Sequence, residues 1–269
     1  MYIKDIFKGQ IAKGFGLLNI YPAQLTDSKE LKQLIDRLHP IKTDKELIRF
    51  GDKGDGGYLV PNDLEGIFTC FSPGVNTISN FERDCAKHGM NVFLADKSVD
   101  APALENEKFS FTKHYIGGWS RHGVLQIDDW VNTSLPDDFK SDLLLQMDIE
   151  YSEYEVLLGM SEETLDRLRI MVIEFHDLHL MWNSPVFHYV SLVFNKLLKN
   201  HTCVHIHPNN VGTIGAFKKD GITIPRLMEF TFLRNDRISA SEPHTLFPHP
   251  LDSDNTDDST LALPECWYK

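Results

Sequence analysis

The sequence predicts an α/β fold in which helices cover both faces of a mostly parallel central sheet. From Ile67 onward, apolar runs of strand length alternate with segments of helical periodicity. Two of these runs, Asp142–Met147 and Ile170–Ile173, are almost continuously apolar. Strands that are covered on both faces have this composition, as in a parallel sheet.

The N-terminal segment, residues 1–45, is predicted to be a helical extension of the main domain. Leu31, Leu34, Ile35 and Leu38 recur at helical spacing, and Pro40 ends the pattern. Residues 49–58 follow and contain four glycines and two aspartates, so they are predicted to form a loop.

The main domain is predicted to span residues 46–250, and an acidic C-terminal tail, expected to be loose, residues 251–269. The predicted strands are Ile67–Phe71, Val92–Ala95, Phe109–Ile116, Asp142–Met147, Ile170–Ile173, Thr202–Ile206 and Leu227–Leu233. The predicted helices are Ile78–Lys87, a short one within Val124–Val131, Tyr154–Met160 and Val186–Lys199.

Composition narrows the functional class. The chain has 269 residues and a formal net charge of −12, with no Lys/Arg-rich stretch, so nucleic acid is an unfavourable partner. The four cysteines are scattered without a CxxC motif, which indicates a reducing cytoplasm. We find neither a signal peptide nor an apolar run of about 20 residues, so no membrane span is expected. No heptad pattern indicates an oligomeric state.

The stretch from Gly66 to Asp96 has the order that a nucleotide-shaped cofactor requires: strand, small-residue turn, helix, strand and acidic residue. Gly74 would allow close approach of the cofactor, and Asp96, 22 residues later, would accept the ribose hydroxyls. There is no GxGxxG motif, and a pyrophosphate cradle usually needs more glycine. A cofactor without phosphate, such as S-adenosylmethionine, therefore fits better.

Polar residues follow the apolar runs, where ligands bind in open α/β sheets. We expect the loops at this edge to converge and to bring together Gly74, Asp96, Asp148, Glu174, His176 and His207.

Three segments, taken together, resemble the FkbM-type methyltransferase family. The first is FSPGVNTISNFE, residues 71–82, and the second combines LQIDDW, 125–130, with LLLQMDIEYSEYEVLLGM, 143–160. The third combines VIEFH, 172–176, with HIHPNN, 205–210. The resemblance covers roughly residues 48 to 210. Pro73 and the pair Tyr151-Ser152 depart from the small residues usual at these places in the family.

The resemblance implies a Rossmann-like class I methyltransferase fold and S-adenosylmethionine as cofactor. It implies transfer of the methyl group to a hydroxyl of a carbohydrate or similar polar metabolite, such as a nucleotide sugar or a surface polysaccharide precursor. The cofactor-binding residues that it indicates are Gly57, Tyr58, Ser72, Gly74, Asn76, Glu82, Asp96 and Asp148.

A sugar hydroxyl is too weak an acid to ionise unaided at neutral pH, so a general base, a divalent metal or both are expected. Asp148, Glu174 and His176 are the predicted catalytic residues. The same three residues are the predicted ligands of Mg²⁺ or Mn²⁺, because hard oxygen donors suit these ions. His176 acting as a base without metal is the alternative.

Three other functions remain open on sequence alone. The order of strand, turn and acidic residue between Gly66 and Asp96 is also typical of a nicotinamide-dependent oxidoreductase. Asp148, Glu174, His176 and His207 offer the donors of a metal-dependent hydrolase. A non-catalytic binding module is the third.

Overall fold

The computed structural model describes Phe15 and residues 22–211 and 217–269. Residues 1–14 and 16–21 of the predicted N-terminal extension therefore lie outside the described residues. Its helix does not: α1 begins after Asp27, whose side chain caps it by accepting a hydrogen bond from the Lys29 amide.

The helices are α1 Ser28–Arg37, α2 Asn80–Lys87, α3 Ile127–Ser134, α4 Glu153–Gly159, α5 Glu162–Arg167 and α6 Ser184–Leu197. Short 3₁₀ helices span Leu178–Trp182, Asn235–Arg237 and Glu265–Trp267. The strands up to the middle of the chain are β1 Ile41–Thr43, β2 Leu47–Phe50, β3 Tyr58–Pro61, β4 Ile67–Pro73, β5 Asn91–Ala95, β6 Phe109–Thr112, β7 Tyr115–Gly117 and β8 Val124–Gln126. The later strands are β9 Asp142–Met147, β10 Leu168–Phe175, β11 His201–Pro208, β12 Lys218–Lys219, β13 Ile222–Thr223, β14 Met228–Arg234 and β15 Ser241–Pro243.

The central sheet has seven strands in the order β11-β14-β10-β9-β4-β5-β6. All neighbours are parallel except β14, which is antiparallel to both β10 and β11. The chain reverses its direction of growth between β4 and β9, so a ligand crevice is expected beyond the carboxyl ends of these two strands. The predicted α/β class and Rossmann-like fold are confirmed.

The apolar core lies on both faces of this sheet. One face packs against α1 and α3–α6, and includes Trp130, Phe175 and Phe194. The other face packs against α2 and the antiparallel pair β2–β3, with Phe50 and Phe81 at the contact. Burial on both faces explains why every residue of β10 is buried.

The C-terminal segment, predicted to be loose, packs on the domain. Trp267 is fully buried, and its indole N–H donates to the carbonyl of Thr223 at 3.0 Å. Asn255 donates to Glu229 on β14 at 2.7 Å, and Asp252 is hydrogen-bonded to His205 on β11 at 2.9 Å. Of the acidic residues that suggested disorder, Asp252 thus has a buried polar partner, whereas Asp257 and Asp258 are exposed.

None of the helices in the described part of the chain combines the length and the apolar character needed to cross a bilayer.

Candidate active site

The loops that leave β4 and β9 touch each other at the carboxyl edge of the sheet. Gly74 has a φ of +87°, and a Cβ atom at this position would lie 1.7 Å from the carbonyl oxygen of Asp148. Only glycine permits this approach. The expected convergence of the two loops is therefore observed.

A small cleft of about 90 Å³ opens between these loops. Its lining includes five of the predicted cofactor-binding residues, namely Tyr58, Gly74, Asn76, Glu82 and Asp148. Residues 49–58 contain the glycine-rich loop, and its residues 55 and 56 border the cleft on the side of β3. The cleft is smaller than most small-molecule sites, which usually occupy roughly 300–1,000 Å³.

Ser72 lies beneath the cleft rather than in its lining. Its hydroxyl donates to Gln146 Oε1 at 2.7 Å and is also hydrogen-bonded to the carboxyl of Glu82. Burial raises the pKa of Glu82 to about 7. Ser72 therefore joins β4, β9 and α2 through side chains that support the cleft.

Asp96 holds the turn after β4 in place. Its carboxylate accepts hydrogen bonds from the Asn76 amide at 2.9 Å and from the amide and hydroxyl of Ser98, both at 2.7 Å. A ribose would have to share or replace these donors, so its contact with Asp96 stays a prediction.

Gly57 does not line the cleft; it allows close packing within its own loop. A Cβ atom there would lie 2.1 Å from the Asp52 carbonyl oxygen and 2.4 Å from an Arg49 guanidinium nitrogen.

His176, which follows β10, is held from one side by a buried carboxylate. Its Nδ1 lies 2.7 Å from Glu153 Oε1, and the Glu153 side chain is fully buried at the first turn of α4. Tyr154 donates its hydroxyl to the His176 carbonyl at 2.7 Å, which fixes the backbone as well. With Nδ1 donating to Glu153, the Nε2 atom carries the free lone pair.

The Nε2 atom faces two further acids, Asp148 Oδ1 at 3.8 Å and Glu150 Oε2 at 3.5 Å. Burial lowers the pKa of His176, but Glu153, Asp148 and Glu150 outweigh it, so the pKa is raised. Burial raises the pKa of Asp148 to about 7, against the attraction of His176. The protonation states of the two side chains therefore depend on each other.

Glu174 lies in a different environment from the one expected. It is buried on β10 opposite Glu229 of β14, and its carboxyl accepts from the side-chain amide of Asn209 at 2.9 Å. Burial and the neighbouring acids, Asp148 first, raise its pKa well above the ordinary value.

Within the described part of the chain, the one group of three side chains arranged to hold a metal ion is Asp148, Glu153 and His176. Their ligand atoms all lie within 4.8 Å of one another. Glu153 thus takes the third place that the sequence analysis gave to Glu174. Two carboxylates and one imidazole form a donor set suited to Mn²⁺ or Mg²⁺.

From the sequence, Glu153 could orient the cofactor or substrate, but an acid in the first turn of a helix is equally explained by the helix dipole, so its contact with His176 was not predicted. A usable signal was present. Val156 and Leu157 are buried, and residues at i, i+3 and i+4 share one helix face, so Glu153 belongs to the buried face of α4.

His207 is not part of this group. It lies on β11, paired in register with Glu229, which in turn pairs with Glu174 on β10. Two strand spacings, about 10 Å, separate it from Glu174. The four-residue constellation of the hydrolase alternative is therefore not assembled.

Comparison with known proteins bears on the identity of this site. Residues 120–201 match the sequence profile of the methyltransferase FkbM domain. The resemblance predicted from the sequence is confirmed, and so is the prediction of an S-adenosylmethionine-dependent methyltransferase. The matched range contains Asp148, Glu153 and His176 and ends at the start of β11. None of the curated proteins matches the chain at a significant level.

Several solved methyltransferase structures are distantly similar in shape. The N-methyltransferase NodS from Bradyrhizobium japonicum WM9 is 11% identical, with a TM-score of 0.34 over 77% of this chain and 95% of that chain. A putative RNA methyltransferase from Pyrococcus horikoshii is 12% identical, with a TM-score of 0.36 over 77% of this chain and 97% of that chain. At these values the likenesses carry no argument about substrate.

Proposed function

We propose that this protein transfers a methyl group from S-adenosylmethionine to a hydroxyl of a carbohydrate or similar polar metabolite, with His176 as the general base. The observation that carries the proposal is the pairing of His176 with buried Glu153, which leaves Nε2 directed toward Asp148 beside the cleft. A histidine held in this way accepts a proton well and keeps its orientation.

The reaction is an in-line displacement at the methyl carbon. The acceptor oxygen forms a bond to this carbon, the carbon–sulfur bond breaks, and its electron pair stays on sulfur as S-adenosylhomocysteine. The acceptor proton moves to His176 Nε2. The Glu153 carboxylate stabilises the imidazolium that results, because it already accepts a hydrogen bond from Nδ1.

Gly74 and Asn76 are the residues that we assign to the amino-acid end of the cofactor, and Asp96 to its ribose. Their position supports this assignment, since Gly74 and Asn76 line the cleft and Asp96 binds the Asn76 amide.

A divalent metal is the second candidate for activating the hydroxyl. The three donors Asp148, Glu153 and His176 support it, because their ligand atoms cluster within 4.8 Å. Mg²⁺ or Mn²⁺ bound there would lower the pKa of a coordinated hydroxyl.

The net charge of the protein favours a small acceptor molecule over a nucleic acid. With a net charge of −12, the protein surface disfavours a phosphate backbone, so we propose a metabolite or sugar rather than RNA as the acceptor. We also propose a cytoplasmic location, which four free cysteines, three of them buried, support.

The test is calorimetry with S-adenosylhomocysteine, followed by methyl transfer from radiolabelled S-adenosylmethionine to a panel of nucleotide sugars, with and without EDTA. Transfer that survives EDTA and is lost in His176→Asn supports the base mechanism. Transfer that EDTA abolishes and Mn²⁺ restores supports the metal. Binding of S-adenosylhomocysteine without transfer to any sugar contradicts the carbohydrate acceptor.

A further inference from the structure

Left-handed backbone conformations are concentrated around the candidate active site. Among the described residues, the non-glycine positions with positive φ are Asn76 (38°), Glu150 (50°), Tyr151 (77°), Asp177 (52°) and Asp220 (52°). All except Asp220 border the cleft or adjoin His176 along the chain or in space. Tyr151 is the unusual case, because a bulky aromatic residue rarely adopts this conformation.

The backbone of Tyr151 has an identifiable task. Its N–H donates to Glu153 Oε1 at 3.2 Å, and the same oxygen lies 2.7 Å from His176 Nδ1. The left-handed conformation directs the N–H toward this oxygen. A glycine would do so without strain, so the presence of a tyrosine side chain needs a separate reason.

The side chain of Tyr151 is clamped beside the imidazole. Its ring centroid lies 5.0 Å from that of His176, with the two planes at 59°. Its hydroxyl accepts a hydrogen bond from Arg226 Nη2 at 3.0 Å, and Arg226 Nε donates to Asp177 Oδ1 at 2.9 Å. The residue is nevertheless 49% exposed. A fixed aromatic surface therefore faces solvent next to His176.

We propose that Tyr151 positions His176 and binds the acceptor, its exposed ring packing against a neutral sugar ring whose hydroxyl lies at His176 Nε2. The proposal rests on the function proposed above. A hydroxyl at Nε2 sits about 3 Å from that atom. The sugar ring that carries this hydroxyl would begin one bond further on, and the tyrosine ring lies beside the imidazole, with the two centroids 5.0 Å apart.

The surrounding charges favour a neutral acceptor. Asp148 and Glu150 lie within 3.8 Å of Nε2, and the guanidinium of Arg226, which contacts the Tyr151 hydroxyl, is already paired with Asp177. These acids can accept hydrogen bonds from sugar hydroxyls, whereas they would repel a carboxylate or phosphate on the acceptor. The aromatic ring meanwhile offers an apolar surface to the C–H groups of the sugar.

The test compares Tyr151→Gly and Tyr151→Phe with Asp220→Gly in the full-length chain. Asp220 has the same left-handed backbone but lies in the β12–β13 hairpin, so its glycine variant controls for relief of strain. Histidine NMR spectra at constant pH report on His176 directly, with the His176→Asn variant assigning its resonances. We expect Tyr151→Gly to shift the imidazole C–H resonances, because the tyrosine ring that packs 5.0 Å away is removed, and Tyr151→Phe and Asp220→Gly to leave them nearly unchanged.

The second measurement is methyl transfer to methyl α-D-glucopyranoside, a ring-shaped probe, and to glycerol, an open-chain probe. We expect Tyr151→Gly to lower kcat/KM for the glucoside about three- to tenfold, as loss of an aromatic contact does, and to affect glycerol less. Tyr151→Phe retains the ring and should keep the glucoside preference.

The proposal is overturned if Tyr151→Gly leaves both the imidazole resonances of His176 and the ratio of glucoside to glycerol transfer unaltered. Absence of transfer to either probe by the natural chain contradicts a neutral carbohydrate acceptor. The NMR spectra then still decide whether Tyr151 positions His176, since they require no acceptor.

Discussion

The carbonyl oxygen of Asp148 fills the space beside the α-carbon of Gly74, so a Cβ atom at residue 74 would lie only 1.7 Å from it. This contact joins the turn that is proposed to hold the cofactor to the carboxylate that faces His176. We therefore expect Gly74→Ala to separate the two loops and to weaken S-adenosylhomocysteine binding at least tenfold, as measured by calorimetry.

Gly89→Ala is the matched control for this substitution. Gly89 also has a positive φ, +92°, but a Cβ atom there would meet nothing within 4 Å. Both variants should lose about 1–2 kcal/mol of stability from the left-handed backbone, while only Gly74→Ala should lose the ligand. Equal affinities in the two variants would show that the contact with Asp148 does not shape the site.

A second prediction concerns Glu153 and the pH dependence of methyl transfer. His176 must be neutral to accept a proton, so the rate should rise with pH through its pKa, which Glu153 helps to raise. Glu153→Gln removes that charge. We expect the acidic limb of the pH profile of kcat to move to lower pH and kcat to fall about a hundredfold.

Glu155→Gln is the control, because Glu155 lies on the same helix but is paired with Arg121 and the Gly118 amide. It should leave the acidic limb in place. An unshifted limb in Glu153→Gln would mean that His176 is not the base.

A third prediction concerns Asp148 and stability. Burial raises the pKa of this carboxyl to about 7, so its ionisation in the folded state is unfavourable and the cost grows as pH rises from about 4 to 7. Asp148→Asn should therefore stabilise the protein at pH 8 by up to about 4 kcal/mol and have less effect at pH 4. Activity should fall. Urea unfolding at both pH values measures the difference, and destabilisation at pH 8 would contradict the prediction.

A fourth prediction uses two histidines of β11 whose pKa values move in opposite directions. Burial lowers the pKa of His207, but Asp252 and Glu229 outweigh it and raise the value. The resulting stabilisation is complete below about pH 6.5 and is lost as pH rises through the folded-state pKa. His207→Gln should therefore cost more stability at pH 6 than at pH 9.

His201 provides the opposite case, since burial lowers its pKa and its ring nitrogen hydrogen-bonds the Leu168 carbonyl at 2.6 Å. Its unprotonated form is favoured by folding, so His201→Gln should cost more at pH 9 than at pH 6. Denaturant unfolding of both variants at the two pH values checks the pair. If both variants lost more stability at the same pH, the environments assigned to the two histidines would be wrong.

Strands β4, β9 and β10 were predictable because their signal is local. Each is an apolar run, and the turn residue Gly74 follows directly. The position of Glu153 was not predictable in the same way, because its partner, His176, is 23 residues away and belongs to a different element. The burial of Asp252 has the same cause: its partner His205 is 47 residues distant. The acidic composition of residues 251–269 predicted only a loose tail.

The structure around the glycine-rich loop was predicted only in part. Its composition predicted a loop, but not that β2 and β3 form an antiparallel pair that presents it to the cleft. That pairing depends on packing of Phe50 and Tyr58 against Phe81 of α2. Local composition does not predict a contact between residues that are far apart in the sequence.

Arg49 ties this loop down by donating to the backbone carbonyls of Asp52, Gly54 and Leu251. The bond to Leu251 connects this loop, which borders the cleft, with the C-terminal segment of the chain. We therefore expect substitutions near Leu251 to alter how firmly residues 52–57 are held beside the cleft, even though they lie outside the chemistry of methyl transfer.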